Sequence, residues 1–357
     1  MHEHRRLVVH PVTHSKEIPM KRFLRLISAA MMLAFTSATV IAADLPTLKL
    51  GWQTGDINTL TMYTDAKHLF EEAGLKVELV AFPAGPALLP AFAAAQIDLG
   101  WMGEFPIVTG YSNGMPIEMI MIDRINTTNV RLVATPASGI NTLGDLKGKK
   151  IAVSIGSTSH QHIARALKMA GLKQEEVTLV NLQPGAMPAA YAAGQIDAAF
   201  TWEPNISLME NAGGKVIATT KSLNDITGVF LAARSDFTKE HPELVQKFLT
   251  AWDKAMKAAV ANPDDVRQYE AKRLAITVPE FSAMLTRMSA EYPDYKKQLQ
   301  PDYLNTPGQE INSRMMVHLK EIGDFLLTEK RISALPADWS KIINTRPMQA
   351  YLAANKS

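Results

Sequence analysis

The chain of 357 residues contains no cysteine. No disulfide braces it, no thiolate serves as nucleophile and no cysteine metal cage forms, so stability rests on core packing. Charge bias is scarce too: 37 Lys and Arg against 35 Asp and Glu leave a formal net charge of +2. With the basic residues scattered, neither nucleic acid nor an anionic membrane is favoured as a partner. Beyond residue 43 no apolar run approaches the ~20 residues that span a bilayer. Catalytic signatures are also lacking: there is no G-x-S-x-G, no phosphate loop ending in GK[ST] and no H-E-x-x-H. His160 and His162 would point ~200° apart on a helix and share no metal. An enzyme is therefore disfavoured, and neither cofactor nor metal is expected. What is present is ordinary for a globular protein of two domains, with 47% apolar residues.

The first apolar run sets the compartment. From Met20 the chain reads MKRFLRLISAAMMLAFTSATVIAADLP, with Lys21, Arg22 and Arg25 ahead of an apolar stretch from Leu26 to Phe35 and small residues closing at Val40, Ala42 and Ala43. This is the pattern of a secretory signal peptide over 20–43, cut after Ala42 or Ala43. Ser28, Thr36, Ser37 and Thr39 interrupt it and argue against a membrane anchor. Residues 1–19 do not fit a signal and read as a non-native upstream leader, whose histidines cannot serve the mature protein. With no cysteine to carry a lipid, a freely diffusing periplasmic protein is expected.

The chain then says nearly the same thing twice. AGLKVELVAFPAGPALLPAFAAAQIDLGWMGEFPI over 73–107 returns as AGLKQEEVTLVNLQPGAMPAAYAAGQIDAAFTWEPNI over 170–206, with Gln96-Ile97-Asp98 recurring as Gln195-Ile196-Asp197. Two copies are too few for a solenoid and predict two similar lobes. Upstream, Leu48–Trp52 reads as a strand, and Met62, Ala66, Leu69 and Ala73 form one helical face closed by Gly74. Lys150–Ser154, then Ile163, Ala166, Leu167 and Ala170 closed by Gly171, repeat that grammar. The fold class predicted is α/β, with largely parallel sheets flanked by helices and two lobes meeting at a cleft. Val130–Thr135 and Gly228–Arg234 lie at the junctions and read as crossing strands and hinges. Lobe 1 is assigned to 44–132 plus 231–340, lobe 2 to 133–230, and 341–357 to a C-terminal tail. Helices are expected from Pro242 up to Asn262-Pro263, with Leu244, Val245, Phe248, Leu249, Trp252 and Met256 as a buried stripe, and roughly over Pro279–Met288 and Gln309–Leu327.

Open α/β sheets bind ligands where strands run into helices. Four such turns stand out: Gln53-Thr54-Gly55-Asp56, Gly103-Glu104-Phe105-Pro106, Ser157-Thr158-Ser159-His160 and Trp202-Glu203-Pro204. Free amides at a helix start favour an anion, and the hydroxyls of Ser157, Thr158 and Ser159 suit an oxyanion; equally, Ser157 or Thr158 caps its helix. Trp202 is either core or a flat apolar wall. Glu104 and Glu203, at matching positions of the repeats, either support a helix start or receive an ammonium group.

With signal, repeat and turns in hand, the chain resembles the periplasmic solute-binding proteins of ABC importers for sulfonates, taurine and nitrate, above all the taurine-binding type. The run from Ser157 to Pro204 carries the resemblance, with WQTG at 52–55, GEFPIVTGYSNG at 103–114, LGDLKGKKIAV at 143–153 and RSDFTKEHPELVQKF at 234–248. It implies a two-lobed periplasmic-binding fold of the second type. It also implies a monomer that captures a small sulfonate, taurine first, and hands it to a membrane permease with its ATPase. Alkanesulfonates, nitrate or a heterocyclic molecule are alternative solutes. A thiamine-pyrimidine-synthase-like enzyme is disfavoured because its cysteine motif is absent, and a regulator because no DNA-binding or membrane module is attached. Carried over, Gln53, Thr54, Gly103, Glu104, Ser157, Thr158, Ser159, His160 and Trp202 line the site, with Glu203 as a further candidate. Where taurine-binding relatives place an aspartate on the returning strand this chain has Val229, so Asp225 is a candidate to take that role.

Overall fold

The computed structural model describes residues 45–355; the leader and signal peptide assigned to 1–43 lie outside the described residues. The first half-lobe runs β1 (Thr47–Gln53), α1 (Thr59–Ala66), α2 (Leu69–Glu72), β2 (Lys76–Phe82), α3 (Leu88–Ala93), β3 (Leu99–Met102), α4 (Glu104–Ser112) and β4 (Ile117–Asn126). The second lobe follows with β5 (Arg131–Ala134), β6 (Lys150–Val153), α5 (Thr158–Met169), β7 (Thr178–Asn181), α6 (Met187–Ala192), β8 (Ala198–Thr201), α7 (Asn205–Asn211) and β9 (Lys215–Thr219). The chain then returns through β10 (Thr227–Arg234), α8 (Ser235–Glu240), α9 (Pro242–Ala261), α10 (Pro263–Arg273), α11 (Val278–Met288), β11 (Ala290–Glu291), α12 (Tyr295–Gln298), α13 (Arg314–Thr328) and α14 (Arg346–Ala354).

Two sheets result, ordered β11-β4-β10-β3-β1-β2 and β7-β6-β8-β5-β9. Leaving out β11, they superimpose as patterns: β2-β1-β3-β10-β4 answers β7-β6-β8-β5-β9. In both, three parallel strands are joined by one antiparallel strand that the chain enters from the other lobe. The repeated Gln-Ile-Asp now has a physical role. Asp98 Oδ2 accepts the Lys49 amide at 2.9 Å and Asp197 Oδ2 accepts the Lys150 amide at 2.7 Å, so each aspartate pins the start of the neighbouring strand. Ile97 and Ile196 are buried beneath.

Val130–Thr135 and Gly228–Arg234, expected as crossing strands, are β5 and β10, each receiving the chain just after it changes sheet. The changeovers themselves fall at 127–130 and 220–226. The helical face predicted from Met62 to Ala73 is broken into α1 and α2, because His68 adopts the left-handed conformation (φ 56°) and interrupts the ladder. Gly74 and Gly171, at φ 75° and 70°, close their helices as the pattern requires. Residues 341–354, assigned to a tail, instead pack on the first sheet: Ile342, Ile343, Met348 and Tyr351 are buried in its core, and Ile343 bridges Met119. Helix α9 begins at Pro242 and buries Leu244, Val245, Phe248, Leu249 and Trp252 against the first sheet, where Trp101 and Trp252 lie 4.6 Å apart between ring centroids. A second core, from Leu132, Ile151, Ile163, Leu167 and Phe200, holds the other lobe.

Candidate functional site

A small pocket, with a cavity volume of about 30 Å³, lies where the carboxyl ends of β1, β3, β6 and β8 meet the two changeovers. From the first lobe it is lined by Gln53, Asp56, Gly85, Gly103 and Pro106, and from the second by Ser157, Thr158 and Trp202. The end of β4 adds Asn126, the changeover after it Asn129 and Val130, and the start of β10 Thr227, Gly228 and Val229. Both walls come very close: a Cβ placed on Gly103 would lie 2.6 Å from Thr158 Oγ1. Only glycine permits this approach, and an occupant of so small a space touches both lobes at once.

Helix starts face the pocket from both sides. Gly103 precedes α4 in extended conformation, without a side-chain cap. Ser157 precedes α5 and does cap it: its Oγ accepts the Ser159 amide at 3.2 Å and donates to the Ser154 carbonyl at 2.7 Å. Ser159 is fully buried and spends its hydroxyl inside the turn, 2.9 Å from Ser157 Oγ and accepting the Ser154 amide at 3.3 Å. Thr158 is therefore the one hydroxyl of the three not engaged in the turn that also lines the pocket. Trp202 adds an indole face, and its buried Nε1–H has no partner among the described residues. Gln53 donates to the Trp101 carbonyl at 3.2 Å, which fixes its amide at the pocket edge.

The other nominated residues stand outside this lining. Thr54 is exposed and donates to the Phe82 carbonyl at 3.3 Å. His160 is buried against Phe105 and Phe325, away from the pocket; burial pushes its imidazole down to about 4, so it is a neutral core group. Glu203 turns inward, accepting the Ser207 amide at 3.0 Å and lying 3.8 and 3.7 Å from Arg131 and Arg287. Burial raises its carboxyl despite those partners. It is a helix support and a joint between α11 and the second lobe rather than an ammonium receptor.

Glu104 and Asp225 belong to a separate buried cluster beside the pocket. Glu104 Oε2 accepts from Thr227 Oγ1 and the Gly228 amide, both at 3.3 Å, tying α4 to β10. His318, on α13, lies 3.6 Å from Glu104 Oε1 and 3.7 Å from Asp225 Oδ1, an ion-pair distance longer than a hydrogen bond. Burial disfavours its charge, but the two carboxylates prevail and hold its pKa above the ordinary value. Asp225 also lies 3.5 Å from Arg165 and 3.8 Å from His162 of the second lobe. Burial pushes His162 down, outweighing that carboxylate. Asp225 is thus a tie between lobes and does not reach the pocket where Val229 stands.

Sequence reasoning missed Asp56, Asn126, Asn129 and the start of β10 at 227–228. Asp56 was visible in the WQTGD turn; its significance depends on Arg124, 68 residues away, whose Nη2 donates to both carboxylate oxygens at 2.8 and 2.7 Å. No local pattern announces such a pair.

Comparison with known proteins agrees with this architecture. The chain is 29% identical over 286 residues to the taurine-binding periplasmic protein of Escherichia coli K12, covering 78% of this chain and 86% of that one. It is 28% identical to a putative aliphatic sulfonates-binding protein of the same organism, covering 74% and 83%. Among solved structures, the alkanesulfonate-binding protein SsuA from Xanthomonas axonopodis pv. citri bound to MOPS aligns with a TM-score of 0.68 at 22% identity, covering 84% and 98%. The desulfurization enzyme DSZB shares the fold at 14% identity, with a TM-score of 0.61, covering 87% and 100%. A model described as NMT1/THI5 like matches residues 58–266, more than half of the chain; this protein belongs to the NMT1/THI5-like family and has the two-lobed periplasmic-binding-protein fold.

Proposed function

We propose that the protein is the periplasmic receptor of an ABC importer for a small sulfonate, taurine first, which it captures as a monomer between its lobes and delivers to a membrane permease. The observation that carries this reading is the pocket itself. Its walls present the start of α4 at Gly103, the start of α5 with the free hydroxyl of Thr158, and the unpartnered indole N–H of Trp202, with no lysine or arginine in the lining. Oriented amides and hydroxyls hold a sulfonate without a counter-charge, which gives selective and reversible binding. Gln53, Gly103, Thr158 and Trp202 are the proposed contacts, with Ser157 capping α5 behind them. The relatives named for taurine and aliphatic sulfonates support the solute class.

Mechanism follows from the paired walls. Ligand contacts from both lobes favour the closed arrangement, in which Gly103 meets Thr158, and motion is accommodated at 127–130 and 220–226. Micromolar affinity corresponds to about 8 kcal/mol, within reach of several charge-assisted bonds to one head group. The test is a calorimetric screen of the purified protein against taurine, alkanesulfonates, nitrate and heterocyclic solutes. Binding to a sulfonate in preference to the others is expected, and absence of heat with every sulfonate overturns the reading.

A further inference from the structure

Four carboxylates stand at or near the cleft, and three are committed to protein partners: Glu104 to Thr227, Gly228 and His318, Glu203 to Ser207, Arg131 and Arg287, and Asp225 to Ile226, Arg165 and the histidines. Asp56 alone lines the pocket. A carboxylate offers about four lone-pair sites. On Asp56, Oδ1 accepts the Ile57 amide at 2.7 Å and Arg124 Nη2 at 2.8 Å, while Oδ2 accepts only Arg124, at 2.7 Å. One site on Oδ2 is left over. The guanidinium is itself shared, since Arg124 Nη1 donates to Asp123 Oδ2 at 2.5 Å. Two buried carboxylates thus share one buried cation; burial raises both carboxyls, so a further positive charge beside them is favoured over a captured proton only if a cationic group is bound.

Asn126 supplies a second, independent observation. It ends β4, lines the same pocket, is 2% exposed, and its Oδ1 is buried with no hydrogen-bond partner among the described residues. A buried acceptor without a donor is uncommon and calls for an explanation. Here the residues that carry an unused acceptor and a shared carboxylate border one cavity, whose lining also includes Thr158, Trp202 and the residues that start α4 and α5.

We propose that Asp56 and Asn126 form a subsite for a cationic head group, the ammonium of a short zwitterion whose sulfonate lies at the starts of α4 and α5. This rests on the sulfonate reading and narrows it to amino-sulfonates. It also explains how Val229, which brings no charge to the pocket, is compatible with an amine-bearing solute: the counter-charge comes from the first lobe.

The test uses calorimetry with taurine and with propane-1-sulfonate, which carries a methyl group in place of the ammonium. The native protein is expected to bind taurine at least tenfold more tightly. Asn126→Ala is expected to weaken taurine fivefold or more while changing propane-1-sulfonate less than twofold. Asp56→Asn, checked by its melting temperature, is expected to narrow the preference in the same direction, and Glu104→Gln to leave it intact. Equal affinity of the native protein for the two sulfonates overturns the inference. So does equal weakening of both by Asn126→Ala, or loss of the preference in Glu104→Gln alone. Where the Asn126 variant does not fold, the Glu104→Gln result and the native comparison still decide. Binding of neither compound is a different failure, that of the sulfonate reading itself.

Discussion

Gly103→Ala isolates lobe closure from lobe folding. Gly103 has φ −70° and ψ 167°, a conformation alanine adopts freely, so the substitution brings no backbone strain. The new methyl falls 2.6 Å from Thr158 Oγ1 and 3.9 Å from Thr158 Cβ, with the Gly228 carbonyl at 3.8 Å. An ordinary contact needs about 3.5 Å, so the walls must part by roughly 1 Å. Overpacking on this scale typically costs about 1–3 kcal/mol. Because the clash exists only when the two lobes meet, that cost falls on the closed state and weakens ligand roughly 5- to 150-fold. The melting temperature of the ligand-free protein should scarcely move. Calorimetry with taurine reads the affinity, and small-angle scattering of the ligand-bound form reads the opening. Adding Thr158→Ser, whose single γ atom can rotate away, should restore most of the loss. Unchanged affinity in Gly103→Ala would refute the claim that this contact belongs to ligand capture.

The two hydroxyls at the start of α5 should separate cleanly: Ser157→Ala loses a cap and about 1 kcal/mol of stability, seen as a lower melting temperature, whereas Thr158→Val keeps stability and weakens taurine by about tenfold in calorimetry. Glu203→Gln should destabilise the fold by about 1–3 kcal/mol, through Arg131 and Arg287, without altering the taurine preference; a changed preference would return Glu203 to the site. Two buried histidines should pull stability in opposite directions on either side of pH 6.5. His160, pushed down to about 4, contributes stability above its unfolded pKa of 6.5 that is lost as pH falls from there towards 4. His318, held up by Glu104 and Asp225, contributes stability below 6.5 that is lost as pH rises through its raised pKa. A melting-temperature profile of His318→Gln should lack the alkaline part of this dependence.

Much of this architecture was legible because the chain repeats itself. A duplicated Gln-Ile-Asp and duplicated strand-turn-helix grammar predict two equivalent lobes, and the equivalence extends to strand order. What the pattern could not place was the changeovers, since β5 and β10 read as strands while the sheet that each joins depends on partners 60 or more residues away. Helix α10 was missed because PDDVRQYEAKR carries almost no apolar face, and Asn262 and the acidic first turn hold its start instead. At the site, Gly103, Ser157, Thr158 and Trp202 could be nominated because each begins a helix after a strand. Glu203 and His160 obey the same rule yet face inward, as does Asp225, which the resemblance nominated; only their partners Arg131, Arg165, His318 and Phe325 tell them apart. Asn126 reverses the case, since nothing local marks it, and Asp56, visible in the turn after β1, takes its meaning only from the distant Arg124; tertiary structure brings both to the cavity.

The most direct measurement of the central claim is a crystal structure of the protein grown with taurine. One molecule is expected between the lobes, its sulfonate at the starts of α4 and α5 within hydrogen-bond reach of Thr158, and Trp202 against its carbon chain. Taurine bound outside the pocket lined by Gly103, Thr158 and Trp202, or a pocket that stays empty at saturating taurine, would contradict it.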